Sequence, residues 1–323
     1  VTGGCGFIGH HLVEYILTET SWDIVVIDKL SYASKGLSRL EDIGALKNDR
    51  ITVMTWDLCT PISKGMQEML LDVDVIVHMA AETHVDNSIE EPVDCIKNNV
   101  MSTVNMLELA RQLPNLKKFL YFSTDEVYGP ALGDTMYSEW DRHNPTNPYS
   151  ASKAAGEGIA LSYHNTYKVP VVICNVMNVF GERQYVEKFI PGCIRKVMND
   201  QVVDIHCYPG CEKAGTRFYI HAKHVASAVL FLLENAVIGE KYNITGEQEV
   251  DNLELAQMIA FFMGKELKYN MIDFHSSRPG HDLRYGLNGD KLHSMGWKPN
   301  STFCETLKEV VEWTKEHPEW LEY

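Results

Sequence analysis

Val1-Thr2-Gly3-Gly4-Cys5-Gly6-Phe7-Ile8-Gly9 opens the chain and decides how the remainder is read. Gly3, Gly6 and Gly9 recur at intervals of three, after the stub of an apolar strand and ahead of a helical run, His10 to Leu17. Residues without a Cβ let the backbone turn tightly and approach a pyrophosphate, and the free N–H groups of a helix start attract the anion. Glycine turns also serve as plain connectors, so the run needs a second mark. That mark is Asp28, which ends the strand Ile24-Val25-Val26-Ile27, about 20 residues on, the distance a dinucleotide site requires. A carboxylate there bonds the adenosine ribose hydroxyls and repels a 2′-phosphate, which favours NAD over NADP. The first strand is only a stub, and residues ahead of Val1 are expected to be missing from the sequence.

Apolar runs at 24–28, 51–55, 73–79, 118–123 and 170–175 alternate with helical stretches. Several are unbroken runs of Val, Ile and Leu, as in parallel strands buried on both faces. The alternation predicts an α/β fold, a Rossmann-type doubly wound parallel sheet. The rhythm changes after residue 180. A helix over Phe189–Met198 leads into a loop with Pro209, Gly210 and Gly215, and a helix at 222–234 and a strand Lys241–Ile244 return to the first unit. Helices near 252–263 and 302–316 complete a smaller C-terminal α/β lobe that binds substrate. The predicted division is an NAD-binding unit over 1–180 and about 216–248, and a second lobe over about 181–215 and 249–323.

The 323 residues are 45% hydrophobic and 23% charged, ordinary for a globular chain. No apolar run reaches the ~20 residues of a membrane span. A net charge of −15 argues against nonspecific nucleic-acid binding, though a few local arginines can still hold an anion. The eight cysteines form no C-x-x-C pair. They read as free thiols of a cytoplasmic protein, and no metal site is expected.

Tyr149-Ser-Ala-Ser-Lys153 is the second signal. Thr146-Asn147-Pro148 before it has the form of a helix start, which puts Tyr149 and Lys153 one turn apart on one face. A nearby ammonium favours phenolate, so Tyr149 is expected to have a lowered pKa and to act as a base. A surface Tyr/Lys pair is the ordinary alternative; the fingerprint upstream tips the reading towards catalysis. Ser123-Thr124-Asp125-Glu126 follows the strand Phe119–Phe122, at the carboxyl end where ligands bind in open parallel sheets. Ser123 or Thr124 can bond a substrate hydroxyl. Two adjacent carboxyl groups in a cleft ionise unequally, one as acid and one as base. Acidic residues also favour a helix N-terminus, so the doublet alone leaves both readings open.

Gly3-x-x-Gly6-x-x-Gly9 with Tyr149-x-x-x-Lys153 resembles an extended short-chain dehydrogenase/reductase. Thr124-Asp125-Glu126, the run Ala80 to Asp86, Glu187-Lys188-Phe189-Ile190-Pro191 and the run Arg278 to Tyr285 narrow the resemblance to the dTDP-glucose and UDP-glucose 4,6-dehydratases. It extends end to end. It implies a reaction in which Tyr149 takes the proton of the sugar 4-hydroxyl as hydride passes to NAD⁺. Glu126 then removes the C5 proton, Asp125 protonates the departing 6-hydroxyl, and hydride returns to C6. Lys153 also holds the nicotinamide ribose.

The resemblance also implies the binding residues. Gly3, Gly6, Phe7, Ile8 and Gly9 line the pyrophosphate turn, and Asp28 with Lys29 meets the adenosine ribose. Asp57 and Leu58 flank adenine, Ala80 and Ala81 pack beside the ribose, and Asn99 supports the adenine-side strand ends; Ser123 and Asn175 complete the cofactor set. Asp57 reads equally well as a turn residue. On the substrate side stand Thr83, His84, Asn178, Glu187, Lys188, Phe189, His206, Arg217, Asn252, Arg278, His281 and Tyr285, beside Thr124, Asp125 and Glu126. Arg217 and Arg278 suit the diphosphate because a guanidinium fork matches phosphate oxygens. His84 has a packing role as its alternative, and Tyr285 a supporting one behind Arg278. The partner expected is a nucleoside-diphosphate glucose, and the assembly a homodimer through helices near 94–112 and 149–167.

The loop Ile205 to Gly215 is a few residues longer than the family's short glycine turn, which leaves thymidine and uridine both open. Two other readings remain: a 4-epimerase or decarboxylase on the same fold, which needs no Asp-Glu doublet because neither expels a 6-hydroxyl, and a non-catalytic NAD-binding protein.

Overall fold

The computed structural model describes residues 1–273 and 284–322. Its largest element is a parallel sheet built around two residues. Strands β1 (Ile24–Asp28) and β2 (Ile51–Thr55) pair with each other. Strands β3 (Val75–His78), β4 (Lys118–Thr124), β5 (Val171–Val176) and β9 (Lys241–Ile244) pair in that order. Thr2 bridges Ile27 on one side and His78 on the other, both parallel, so the stub Val1–Thr2 joins the two groups. The order is therefore β2, β1, Thr2, β3, β4, β5, β9. The chain starts at the centre and winds first one way, then the other, and the crevice at that reversal is where doubly wound sheets bind ligands.

Helices cover both faces. Phe7–Glu19 packs against Ala222–Asn235 on one side, and Pro92–Ala110 against Pro148–Tyr167 on the other. Leu12, Val26, Val172, Val229 and Leu232 build the first core; Ile76, Leu107, Phe119, Val171 and Ile173 build the second. Both faces are dry, which explains why the strands carry continuous apolar runs.

A third core lies beside this sheet. Phe189–Met198, Asn252–Met263 and Phe303–Glu316 close over Ile194, Ile205, Leu255, Ile259 and Leu307. Two small sheets belong to this region. Strand β7 (Val203–Cys207) pairs in parallel with β11 (Tyr269–Asp273). Strand β8 (Thr216–His221) lies between β6 (Asn178–Phe180) and β10 (Glu249–Asp251). Thus 216–221, grouped with the first unit in the sequence reading, pairs outside the main sheet, while the helix after it packs on that sheet's first core.

No described helix is long and apolar enough to cross a membrane. Among the described residues no cluster of three or more His, Cys, Asp or Glu is arranged to hold a metal.

Candidate active site

The glycine run forms a tight cradle. Gly3 has φ +71°, and a Cβ there would sit 3.0 Å from the Ala80 backbone. A Cβ on Gly9 would lie 2.1 Å from the Gly3 carbonyl, so only glycine lets the helix begin this close to the stub. The helix Phe7–Glu19 has no side-chain cap, and its first N–H groups open onto the crevice. Asp28 ends β1 with each carboxylate oxygen fixed by a backbone N–H: Cys5 donates to Oδ2 (3.0 Å) and Leu30 to Oδ1 (2.8 Å). These residues border a cavity of about 440 Å³, within the ~300–1,000 Å³ usual for small-ligand sites.

That cavity gathers most of the expected residues from distant parts of the chain. Lys29, Asp57, Leu58, Ala80 and Ala81 line it with the glycine cradle; Ser123, Thr124, Asp125, Glu126, Tyr149 and Lys153 line its middle. Thr83, Asn178, Glu187, Lys188 and Phe189 lie on its wall, as do His206, Arg217 and Asn252. Asp57 and Leu58 follow β2 rather than ending it, since that strand stops at Thr55. Asn178 Nδ2 is buried without a partner among the described residues, a donor left for a ligand.

Other expected residues stand behind the wall. Asn99 is buried, accepts the Glu82 N–H (2.7 Å) and donates to the Glu82 carbonyl (3.0 Å) and Ser152 (2.9 Å), bracing the chain after β3. Asn175 is wholly buried and turns to Glu157 (2.6 Å) and the Thr124 carbonyl (3.2 Å), away from the cavity lining. His84 is tied to Asn87 (2.7 Å), with Asp86 at 3.7 Å and Glu187 at 4.0 Å. Tyr285 donates to Glu126 Oε2 at 3.5 Å while Arg217 lies 5.0 Å over its ring. Arg278 and His281 lie outside the described residues. The sequence reading missed Trp56, Asn98, Ser102 and Tyr185, which also line the cavity. Tyr185 is two residues from Glu187, the one signal pointing to it; the others stand in no motif.

The local sequence explains how the central group is held. Asn147 accepts from the Ser150 N–H while the Ser150 hydroxyl accepts from the Asn147 N–H; this reciprocal cap, with Pro148 first in the helix, fixes where Tyr149 emerges. Thr124 caps the short turn Asp125–Tyr128 by accepting from the Glu126 N–H (3.3 Å) and donates to Asp125 Oδ1 (3.0 Å). So the doublet does start a helical turn, and it also faces the cavity. Asn147 Nδ2 donates to Glu126 Oε2 at 3.2 Å.

The two acids differ. Asp125 is buried, its Oδ2 has no hydrogen-bond partner among the described residues, and burial, reinforced by the charge of Glu126, pushes its pKa up to about 7. Glu126 is partly exposed and holds two donors. Burial lowers the Lys153 pKa to about 8, opposed by Glu157. Tyr149 departs from expectation: burial, then Glu126, raises its pKa well above the ordinary phenol range, and a hydrogen bond with Thr124 only partly opposes this. The Lys153 ammonium lies 4.4 Å over the Tyr121 ring and does not offset this.

Fold and cavity define a short-chain dehydrogenase/reductase of the extended kind, with a dinucleotide cradle and a Tyr/Lys pair in one crevice. Residues 1–310 match the family model described as GDP-mannose 4,6 dehydratase. The dTDP-glucose 4,6-dehydratase of Streptomyces niveus is 36% identical over 332 residues, covering 100% of this chain and 94% of that one. The chain belongs to this nucleotide-sugar 4,6-dehydratase family. Among solved structures, the dTDP-glucose 4,6-dehydratase DesIV of Streptomyces venezuelae, solved with NAD bound, superposes with a TM-score of 0.89 at 31% identity, over 99% of this chain and 98% of that one. A UDP-glucuronic acid 4-epimerase from Bacillus cereus, solved with UDP-glucuronic acid and NAD, reaches 0.88 at 25% identity over 98% of both chains. The fold thus serves both chemistries, and the side chains decide between them.

If Asp28 holds the adenosine ribose, Asp28→Ala will weaken NAD binding tenfold or more, as expected for losing a charged hydrogen-bond acceptor worth about 1.5–3 kcal/mol. Sugar-nucleotide binding should change far less. Calorimetry with each ligand decides, and equal losses contradict the assignment.

Proposed function

We propose that this cavity converts a nucleoside-diphosphate glucose into its 4-keto-6-deoxy counterpart with loss of water, as an NAD-dependent hydro-lyase. The observation that carries the reading is the Asp125–Glu126 pair: adjacent acids lining one cavity, Asp125 buried with its pKa raised to about 7 and Glu126 partly exposed and hydrogen-bonded. The glycine cradle, the fixed Asp28 carboxylate and the uncapped helix start fit a dinucleotide. Bound NAD would supply a two-electron oxidation of the sugar at C4 that is balanced by return of the hydride at C6, and would bring a positive charge into the cavity.

The residues account for the proton movements. Tyr149 accepts the 4-hydroxyl proton, and its raised pKa in the protein alone means that it needs added positive charge to do so at neutral pH. A ketone at C4 makes the C5 proton acidic. Glu126 removes it, with Asn147 and Tyr285 steadying the carboxylate. Asp125, protonated below about pH 7, gives its proton to the 6-hydroxyl, which leaves as water. Epimerisation at C4 has no leaving hydroxyl to protonate, so a buried neutral acid beside the base favours dehydration. Lys188 and Arg217, which line the cavity, are the cations this reading assigns to the diphosphate. The remaining wall residues named from the resemblance take the nucleoside and sugar.

We further infer a homodimer. Val93, Ile96 and Met101 on Pro92–Ala110 and Ile89 just before it are exposed apolar side chains on one helical region. Burying them against a second copy would remove apolar area from water. Light scattering is expected to give twice the chain mass; a monomer at micromolar concentration contradicts this.

Incubation with dTDP-, UDP-, GDP- and CDP-linked glucose or mannose should yield a product lighter by one water with at least one of them. Glu126→Gln should lower kcat by about 10²–10⁴-fold, the range typical of a single acid–base group, and should leave NAD bound. Normal turnover in that variant rejects Glu126 as the C5 base. The pH profile of kcat should fall as pH rises through about 7, because Asp125 then loses the proton it must donate. Asp125→Asn should remove that limb along with most of the rate; a limb that persists in the residual rate assigns it to another group.

A further inference from the structure

One buried carboxylate outside the cavity is bonded to nearly everything that frames it. Glu157 lies on the helix Pro148–Tyr167, one turn beyond Lys153, and is 0% exposed. Its Oε1 accepts from the Ser123 hydroxyl (2.6 Å) on β4 and from Asn175 Nδ2 (2.6 Å) on β5. Its Oε2 is 2.7 Å from the Lys241 ammonium on β9 and 3.3 Å from His143 Nε2. Lys241 is itself buried, over the rings of Tyr128 (5.0 Å) and Trp140 (5.7 Å), and lies 3.1 Å from His143. Asn175 passes the restraint on, since its amide also donates to the Thr124 carbonyl (3.2 Å).

Isolated, such a carboxylate would be costly to bury; it persists because Oε1 holds two hydrogen bonds and a cation is paired with Oε2. A structural ion pair needs only two partners. Here the partners come from three neighbouring strands, and one of them, β4, carries Ser123 and Thr124 of the cavity lining.

We propose that Glu157 is a positioning residue for the reaction: its carboxylate locks the strand ends that carry Ser123 and Thr124 to the helical turn that carries Tyr149 and Lys153, and it is the internal counter-charge of Lys153. This rests on the dehydratase reading above. The other titratable groups around Lys153 among the described residues are Tyr149 on its own helix, Tyr121 on β4, Cys174 on β5, His78 on β3 and Cys95 on Pro92–Ala110. None is an anion at neutral pH: burial raises Tyr149, Tyr121 and Cys174, and Cys95 less so, while His78 is held neutral. Glu157 is therefore the one anion among the groups acting on Lys153. Burial works against that charge, but the His143 hydrogen bond and Lys241 prevail and bring its pKa down to about 2, so it stays ionised across the working range.

The test compares wild type with Glu157→Gln, both carrying NAD. Competitive acetylation of Lys153 across pH, read by mass spectrometry, reports its protonation without needing any sugar substrate. In Glu157→Gln the Lys153 midpoint should fall by about one pH unit, the scale for losing one nearby opposite charge. In the dehydratase assay kcat should drop tenfold or more with KM within about threefold. Glu157→Asp, which keeps the charge, should restore the midpoint. If Glu157→Gln does not fold, Glu157→Gln/Lys241→Met removes both buried charges and is used in its place. An unmoved Lys153 midpoint in the folded variant overturns the proposal even if turnover falls, since a packing defect would do that. A wild type that shows the labelling shift but dehydrates no nucleotide sugar overturns the dehydratase reading and leaves the counter-charge standing.

Discussion

The two-residue stub Val1–Thr2 is the constraint on which the rest of the structure depends. Its backbone bridges β1 and β3, so without it the sheet would fall into two pieces. The Thr2 hydroxyl accepts from the Met79 and Ala80 N–H groups (both 3.1 Å) and meets His78 Nδ1 (2.8 Å). One side chain thereby fixes the end of β3 against the start of the glycine turn. Gly3 then lies against the Ala80 backbone, and Gly9 against Gly3, at distances no Cβ tolerates. The crevice exists because the sheet reverses at this stub, and its floor is bare backbone because glycines stand where it does.

The chemistry depends on charge rather than shape. A crevice that is dry enough to raise Asp125 to about 7 also raises Tyr149 and lowers Lys153, because burial penalises every charged form alike. The protein therefore cannot prepare all three groups at once by burial. Partners separate them: Glu157 opposes the loss of charge on Lys153, Glu126 keeps Asp125 protonated, and Tyr149 is left to be primed by a cationic ligand. On the proposed mechanism, the site is set up to react only when its cofactor is in place.

Much of this was legible in the sequence because it is local. The glycine spacing, Asp28 at a strand end, the Asn147–Pro148 helix start and the Thr124–Glu126 turn each depend on a few contiguous residues, and all appear where the pattern put them. What was not legible is long-range. Asn175 belongs to the cofactor set in the sequence reading, yet its amide turns inward to Glu157, 18 positions away. Glu157 belongs to no recognised spacing, and Lys241 is 84 positions further on; no periodicity reveals that they meet. The direction of the Tyr149 shift was missed for the same reason. Spacing placed Lys153 one turn away but could not show that its ammonium lies over Tyr121 or that Glu126 bears on the phenol.

The overall charge of −15 and the proposed dianionic diphosphate ligand are compatible for a related reason. Coulomb interactions fall off over about 8–10 Å in physiological salt, so the surface acids count for little inside the crevice. What counts is the handful of groups on its wall. There Lys188 has Glu187 at 3.6 Å, and Arg217 lies over the Tyr285 ring. A guanidinium stacked on an aromatic face keeps its planar donors in one orientation, the geometry that suits phosphate oxygens. Tyr285 also donates to Glu126. One tyrosine thus joins the cation proposed for the diphosphate to the base proposed for C5, so that seating the nucleotide and placing the base are parts of a single arrangement.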